Sequence, residues 1–356
     1  MKDIPPPWRI PLLILGFASL IIGVGAGLLR LGWAVPRPAA DLAVFHGPLM
    51  ISGFFGTVIS LERAVALARG WAYLGPLAAG AGGLALILGL PPAGAQILLA
   101  LGSAALLAGS VSVFLRQRAL FTFTLAAGAA SWLIGNLLWL SGFSVPDAAP
   151  WWAGFLVLTI AGERLELSRF LPPSPMARRV FIAVLAGLAC GMVLAQARLF
   201  GAALLALALW LLRQDIARRT VKNAGVTRFI AVCLLSGYVW LALAGAVMLG
   251  AGLSAGSLSY DAALHALMLG FVFSMVFGHA PIIFPAVLRV TMPYHPSFYV
   301  PLALLHLSLA ARLTGDALAS FEWRSAGGLL NAITLAAFIL NTAAAVIRGK
   351  LEKKTG

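Results

Sequence analysis

Long apolar runs follow one another along the whole chain, separated only by short breaks that carry charge, proline or glycine. Each approaches the ~20 residues a helix needs to cross a bilayer. Only 10% of the 356 residues are charged against 61% hydrophobic, and the mean hydropathy is +0.98. This composition excludes a soluble domain and leaves no interval for one beside the apolar runs. The first run, Ile10 to Trp33, is too long for a signal-peptide core and follows no basic stretch with a cleavage site, so it is expected to be a retained span.

The breaks predict twelve spans near residues 10–33, 43–68, 72–90, 93–115, 121–142, 151–170, 177–196, 198–213, 227–251, 259–289, 298–314 and 324–347. The expected fold is therefore all-α: a polytopic membrane helix bundle forming a single transmembrane domain over residues 1–356. The eighth span is short and pairs with the seventh either as two crossings or as a re-entrant hairpin. Cys190 and Cys233 both fall inside spans, so no disulfide and no cysteine metal cluster is expected.

Charge orients the bundle. All but five of the 25 Lys and Arg lie at span ends on the same side as the N-terminus, the exceptions being Arg30, Arg37, Arg198, Arg312 and Arg324. Cytoplasmic ends collect basic residues, which predicts that both termini face the cytoplasm. The net charge of +14 is thus directed at anionic lipid headgroups on that face rather than at nucleic acid.

Within this apolar background the five histidines stand out. His46 sits about one turn inside the second span and His265 about two turns inside the tenth, both entering from the outer side. His279 lies about 21 Å below His265 on nearly the same helix face, too far to share one metal. It is about 15 Å from the inner end of its span, and His306 on the returning eleventh span is about 12 Å from its own. His295 falls in the inner loop between them. Two pairs result, His46 with His265 and His279 with His306. A lone membrane histidine often serves as an interhelical hydrogen-bond donor. A bis-imidazole pair is also what a b-type haem needs in an apolar slot between helices. Gly47, Gly53, Gly56, Gly270 and Gly278 would let a flat ring approach the backbone, with Phe54, Phe55, Phe271 and Phe273 lining it. Met50, Met268 and Met275 share helix faces with histidines, either as soft ligands for copper(I) or as packing residues. Pro281 and Pro285 predict a kink beside His279.

Carboxylates are few. Glu163 and Glu166 fall on one face of the inner half of the sixth span beside Arg164, and Glu62 beside Arg63 is similar. They are expected either to pin helix ends through ion pairs or, for Glu163 and Glu166, to start an inner proton path. Asp41 and Ser259 are placed as N-caps.

The stretches FHGPLMISGFF, LHALMLGFVFSMVFGHA and LLHLSLAARL resemble the His- and Gly-rich helices of the NnrS family. Those are twelve-span haem proteins of bacterial inner membranes linked to nitric-oxide stress and denitrification. More distantly, ligation from the second and tenth spans is similar to that in haem-copper oxidases and nitric-oxide reductases. The resemblance implies a haem b on His46 and His265 and redox chemistry fed by a quinol or a cytochrome, while the matched depth of His279 and His306 offers a second haem or copper site. Residues 151–196 contain no histidine, so a conventional binuclear oxygen-reducing centre is not expected. The tenth span ends GHAPIIFP where the family carries a GHTGR-like ending, marking a divergent branch. The rival class is a twelve-helix solute transporter without a redox cofactor.

Overall fold

The structure, a computed structural model, describes residues 3–36, 39–167 and 174–355. Lys2, Arg37, Arg169 and the end of the sixth expected span lie outside the described residues, as does the side chain of Lys354. Among the described residues every regular element is helical. Twelve long helices correspond one to one with the twelve expected spans: α1 Pro6–Leu29, α2 Asp41–Leu67, α3 Gly70–Ile87, α4 Pro92–Arg116, α5 Leu120–Leu140, α6 Val145–Leu167, α7 Pro175–Val193, α8 Ala197–Gln214, α9 Gly225–Ala251, α10 Leu258–Leu288, α11 Pro296–Ala317 and α12 Phe321–Thr355. All but α6 are long and apolar enough to cross a membrane by length and composition. Helix α6 carries Asp147, Pro150, Glu163, Arg164 and Glu166 along its length. The protein is a multi-pass helical membrane bundle.

The ends follow local chemistry. Helix α1 starts earlier than the apolar run because Pro6 and Pro7 occupy first-turn positions that need no N–H partner. The N-cap of α10 is Ser257, whose hydroxyl accepts from the Tyr260 N–H at 3.1 Å. Ser259, expected in that role, lies 3.0 Å from the capping hydroxyl. Helical hydrogen bonding in α10 passes through both Pro281 and Pro285 and stops only at Leu288, before Arg289 at φ 55°. Cys190 and Cys233 are both free.

Two helices change register midway. Residues Leu49–Phe55 of α2 and Ala266–Phe273 of α10 form π-helix, each directly after a histidine-bearing turn. A π segment bonds five residues back rather than four and so rotates the side chains on either side of it out of the ordinary phase.

The chain divides into two compact units, residues 1–163 with 286–289 and residues 164–285 with 290–356. In the first, α3 packs on α4, α4 on α5, and α1 against α3 and the π segment of α2. Its centre is a hydrogen-bonded hub at Asn136 on α5. The Asn136 Oδ1 accepts from the Ser52 hydroxyl at 3.0 Å and from the Trp152 indole at 3.0 Å. Its Nδ2 donates to the Leu99 carbonyl at 3.1 Å and to Ser103 Oγ at 3.2 Å. One amide thereby ties α2, α4 and α6 to α5 where no water is at hand. Trp132 donates to Ser52 Oγ at 2.9 Å and stacks on Phe155 at 4.9 Å. Its ring fills the space beside Gly56, where any Cβ would collide with it. Asn136→Leu is expected to strand the Ser52 and Trp152 donors at about 1–3 kcal/mol each, lowering the unfolding temperature of the detergent-solubilised protein.

In the second unit α7 packs on α8, α8 on α9, α11 on α12, and α9 against the π segment of α10. A buried ion pair anchors it. The Arg164 guanidinium donates to Asp215 at 2.8 and 3.2 Å, Tyr238 donates its hydroxyl to the same carboxylate at 2.6 Å, and the Ala217 N–H does so at 2.7 Å.

Candidate functional site

His46 stands at the turn where α2 passes into its π segment. Its Nδ1 lies 2.7 Å from the Gly23 carbonyl on α1. A carbonyl only accepts, so Nδ1 carries the proton and Nε2 the lone pair. Gly27 makes the approach possible, since a Cβ there would stand 2.8 Å from the ring Cε1.

His265 stands at the corresponding place on α10. Its Nδ1 lies 2.8 Å from the Asp261 carbonyl and 3.3 Å from the Asp261 carboxylate. The same carboxylate receives Arg312 from α11 through Nε at 3.1 Å and Nη2 at 2.9 Å. Again Nδ1 holds the proton and Nε2 the lone pair. A carboxylate behind the proton-bearing nitrogen orients an imidazole and raises the basicity of the opposite nitrogen, the arrangement that supports ligating histidines in metalloproteins. Arg312 and Arg324, two of the arginines expected at outer span ends, face carboxylates, Asp261 and Asp316 respectively, the latter at 3.8 Å. His46 and His265 belong to different units, and each is described within its own.

The second pair differs. His279 points Nδ1 at the Met275 carbonyl of its own helix, 2.7 Å away. His306 receives the Trp240 indole N–H on Nδ1 at 2.9 Å. An indole nitrogen only donates, so the neutral His306 ring must carry its proton on Nε2 and cannot offer that nitrogen to a metal. No hydrogen bond or ring contact joins His279 to His306, and among the described residues no three His, Cys, Asp or Glu side chains gather as a metal cluster. The His279–His306 metal site expected from depth alone is not supported, because a tautomer fixed by tryptophan opposes it. His295 uses its Nδ1 to accept the Ser297 N–H at 3.1 Å, a loop cap.

Four of the five glycines and the aromatics expected to line a haem are used elsewhere, whereas a Cβ at Gly47 would meet only Val145, at 3.5 Å. Trp240 covers Gly270, Cys233 packs 2.9 Å from where a Cβ of Gly278 would be, Ser19 does the same at Gly53, and Trp132 covers Gly56. Phe54, Phe55, Phe271 and Phe273 are buried within their own units, Phe54 between Phe17 and Phe55. These positions serve helix packing, because close helix approach in a membrane selects small residues just as a cofactor would. Met50 packs against Gly23 and the Met275 methyl covers Gly237, so both fill gaps between helices.

Glu163 and Glu166 are half-buried on α6. Beside them, Arg164 takes its carboxylate from Asp215, 51 residues along the chain. Asp215 and Tyr238 escaped the sequence reading. The available signal was a lone carboxylate set in the basic run after α8.

Comparison with known proteins gives one match: a family model described as Domain of unknown function (DUF8744) covers residues 9–347. No curated protein matches, and no solved structure matches.

Proposed function

We propose that this chain, which belongs to the family described as a domain of unknown function (DUF8744), is a haem-b-binding integral membrane protein with His46 and His265 as axial ligands. The observation that carries the reading is the shared local design of the two rings. Each stands in the turn that precedes a π-helical segment and gives its Nδ1 proton to a backbone carbonyl, so that its basic nitrogen is Nε2. π segments are frequent at functional sites, and the held Nδ1–H is what a haem-ligating imidazole requires. When bound, haem iron supplies one-electron redox and binding of small diatomic gases. The protein's part is to hold two imidazoles and, at His265, to back one of them with Asp261.

The NnrS-like stretches support a role in nitric-oxide response or related respiratory redox chemistry, with a quinol or cytochrome as electron donor. The same resemblance supports a bacterial inner membrane, and the distribution of basic residues supports cytoplasmic termini with anionic lipid at that face.

The haem content of protein purified from haem-replete cells tests this reading. One haem b per chain by pyridine haemochromogen assay is expected, and a protein free of haem would end it. Asp261→Asn is expected to weaken haem retention by about 10–100-fold, the usual effect of losing a ligand's hydrogen-bonding partner, as measured by transfer to apomyoglobin.

A further inference from the structure

Buried polar atoms without a hydrogen-bond partner are concentrated on α11 and α12 of the second unit; Ser60 Oγ is the exception among those described. On α12 they belong to Arg324, Asn331, Asn341, Thr342 and Arg348. Spacings of seven, ten and seven residues keep Arg324, Asn331, Asn341 and Arg348 within about 120° of one another, on the side of the helix where Asn331 and Thr342 are buried and Arg324, Asn341 and Arg348 half-buried. From Arg324 to Arg348 the helix rises about 36 Å, which exceeds the ~30 Å hydrocarbon layer. The polar face therefore runs the full depth of the membrane.

The chemistry of these atoms has a sign. Arg324 Nε, Asn331 Nδ2, Asn341 Nδ2, Thr342 Oγ1, Arg348 Nε and Arg348 Nη2 are donors, joined from α11 by His306 Nε2, whose proton is fixed there by Trp240. The acceptors are the Asp316 carboxylate, which faces Arg324, Asn331 Oδ1 and the Thr342 hydroxyl, which can also donate. The Ser297 hydroxyl binds Asn341 Oδ1 at 2.7 Å and so turns that amide's N–H groups to the unpartnered side. Stranded donors in hydrocarbon cost several kcal/mol each unless something accepts from them. A surplus of donors, three of them on two guanidinium groups, selects an acceptor that is negatively charged. Between the outer residues, Arg324 and Asn331, and the inner ones, Asn341 to Arg348, Phe338 of α12 is stacked on Phe277 of α10, with centroids 4.0 Å apart and planes within 9°. This stack interrupts the polar face with a buried aromatic barrier.

We propose that the buried face of α12 lines a passage for small inorganic anions through the second unit, closed midway by the Phe277–Phe338 stack. Asn331 binds the anion on the outer side, Asn341, Thr342 and Arg348 bind it on the inner side, and movement of the stack admits it from one to the other. The passage does not rest on the haem reading and needs no residue of it.

The test is chloride efflux from proteoliposomes holding the full-length protein, with valinomycin to balance charge. Efflux faster than from empty liposomes is expected, and it persists in His46→Ala/His265→Ala protein. Phe338→Ala raises it. Asn331→Leu lowers it about tenfold, the effect of losing a hydrogen bond to a charged ligand. In detergent, chloride in place of gluconate is expected to raise the melting temperature of the wild type but not of Asn331→Leu, whose own melting temperature without chloride rises because a stranded amide is gone. Wild-type efflux equal to that of empty liposomes overturns the proposal even where chloride stabilises the protein. So does efflux that Asn331→Leu and Phe338→Ala both leave unchanged.

Discussion

Protein carrying His46→Ala or His265→Ala is expected to emerge from purification with its haem depleted, and the double variant without a Soret band. Each substitution removes an axial nitrogen outright, so haem retention falls by more than the ~10–100-fold that even an outer hydrogen-bond partner is worth. The two positions carry different secondary effects. His46 rests on α1 through Gly23 and beside Gly27, so its loss leaves a gap against one helix and one carbonyl short of a donor. His265 is tied to Asp261, which is held by Arg312, so the Asp261–Arg312 pair survives its removal. Glutamine at either position is expected to preserve folding without restoring haem, which separates ligation from stability. Circular dichroism and haem content on the same samples report the two.

Asp215→Ala is expected to be the most destabilising single change in the second unit. Asp215 accepts from the guanidinium of Arg164, from the hydroxyl of Tyr238 and from the Ala217 N–H, with the Arg164 and Asp215 side chains only 4% and 1% exposed. Removing one partner of a buried ion pair strands the other, at about 3–5 kcal/mol. Replacing both, as Arg164→Met with Asp215→Leu, is expected to cost far less, since the desolvated charge disappears with its partner. Thermal unfolding in detergent followed by tryptophan fluorescence measures both. If the single and double changes prove equally damaging, the pair is not what holds this corner of the unit.

Apolar run length placed eleven of the twelve helices, because bilayer thickness imposes a length, while α6 was bounded by the charged and proline-containing breaks on either side of it. The start of α1 moved from Ile10 to Pro6, and the cap of α10 moved from Ser259 to Ser257, two serines close enough to exchange the role. The π segments were invisible, since LMISGFF and ALMLGFVF are apolar on every face and give no phase from which a change of register could be read. Depth arithmetic singled out the histidines but could not see tautomers. Trp240, distant in sequence, is what turns His306 from a ligand into a donor. Glycine carried an ambiguous signal, because the surface that would let a macrocycle approach also lets Trp132 or Trp240 pack against the helix. Partners far along the chain were the main loss, as with Asp215 for Arg164 and Asn136 for Ser52. The polar residues of α12 could have been found by spacing, since Arg324, Asn331, Asn341 and Arg348 recur at seven, ten and seven residues and stay on one side of the helix.

The most direct test of the proposed ligation is low-temperature electron paramagnetic resonance of the oxidised protein, recorded beside the two single-alanine variants. Two imidazoles on one iron predict a low-spin ferric signal in the wild type that gives way to high-spin signal in His46→Ala and in His265→Ala. A wild-type signal that is already high-spin, or a low-spin signal that survives both substitutions, would contradict ligation by these two histidines.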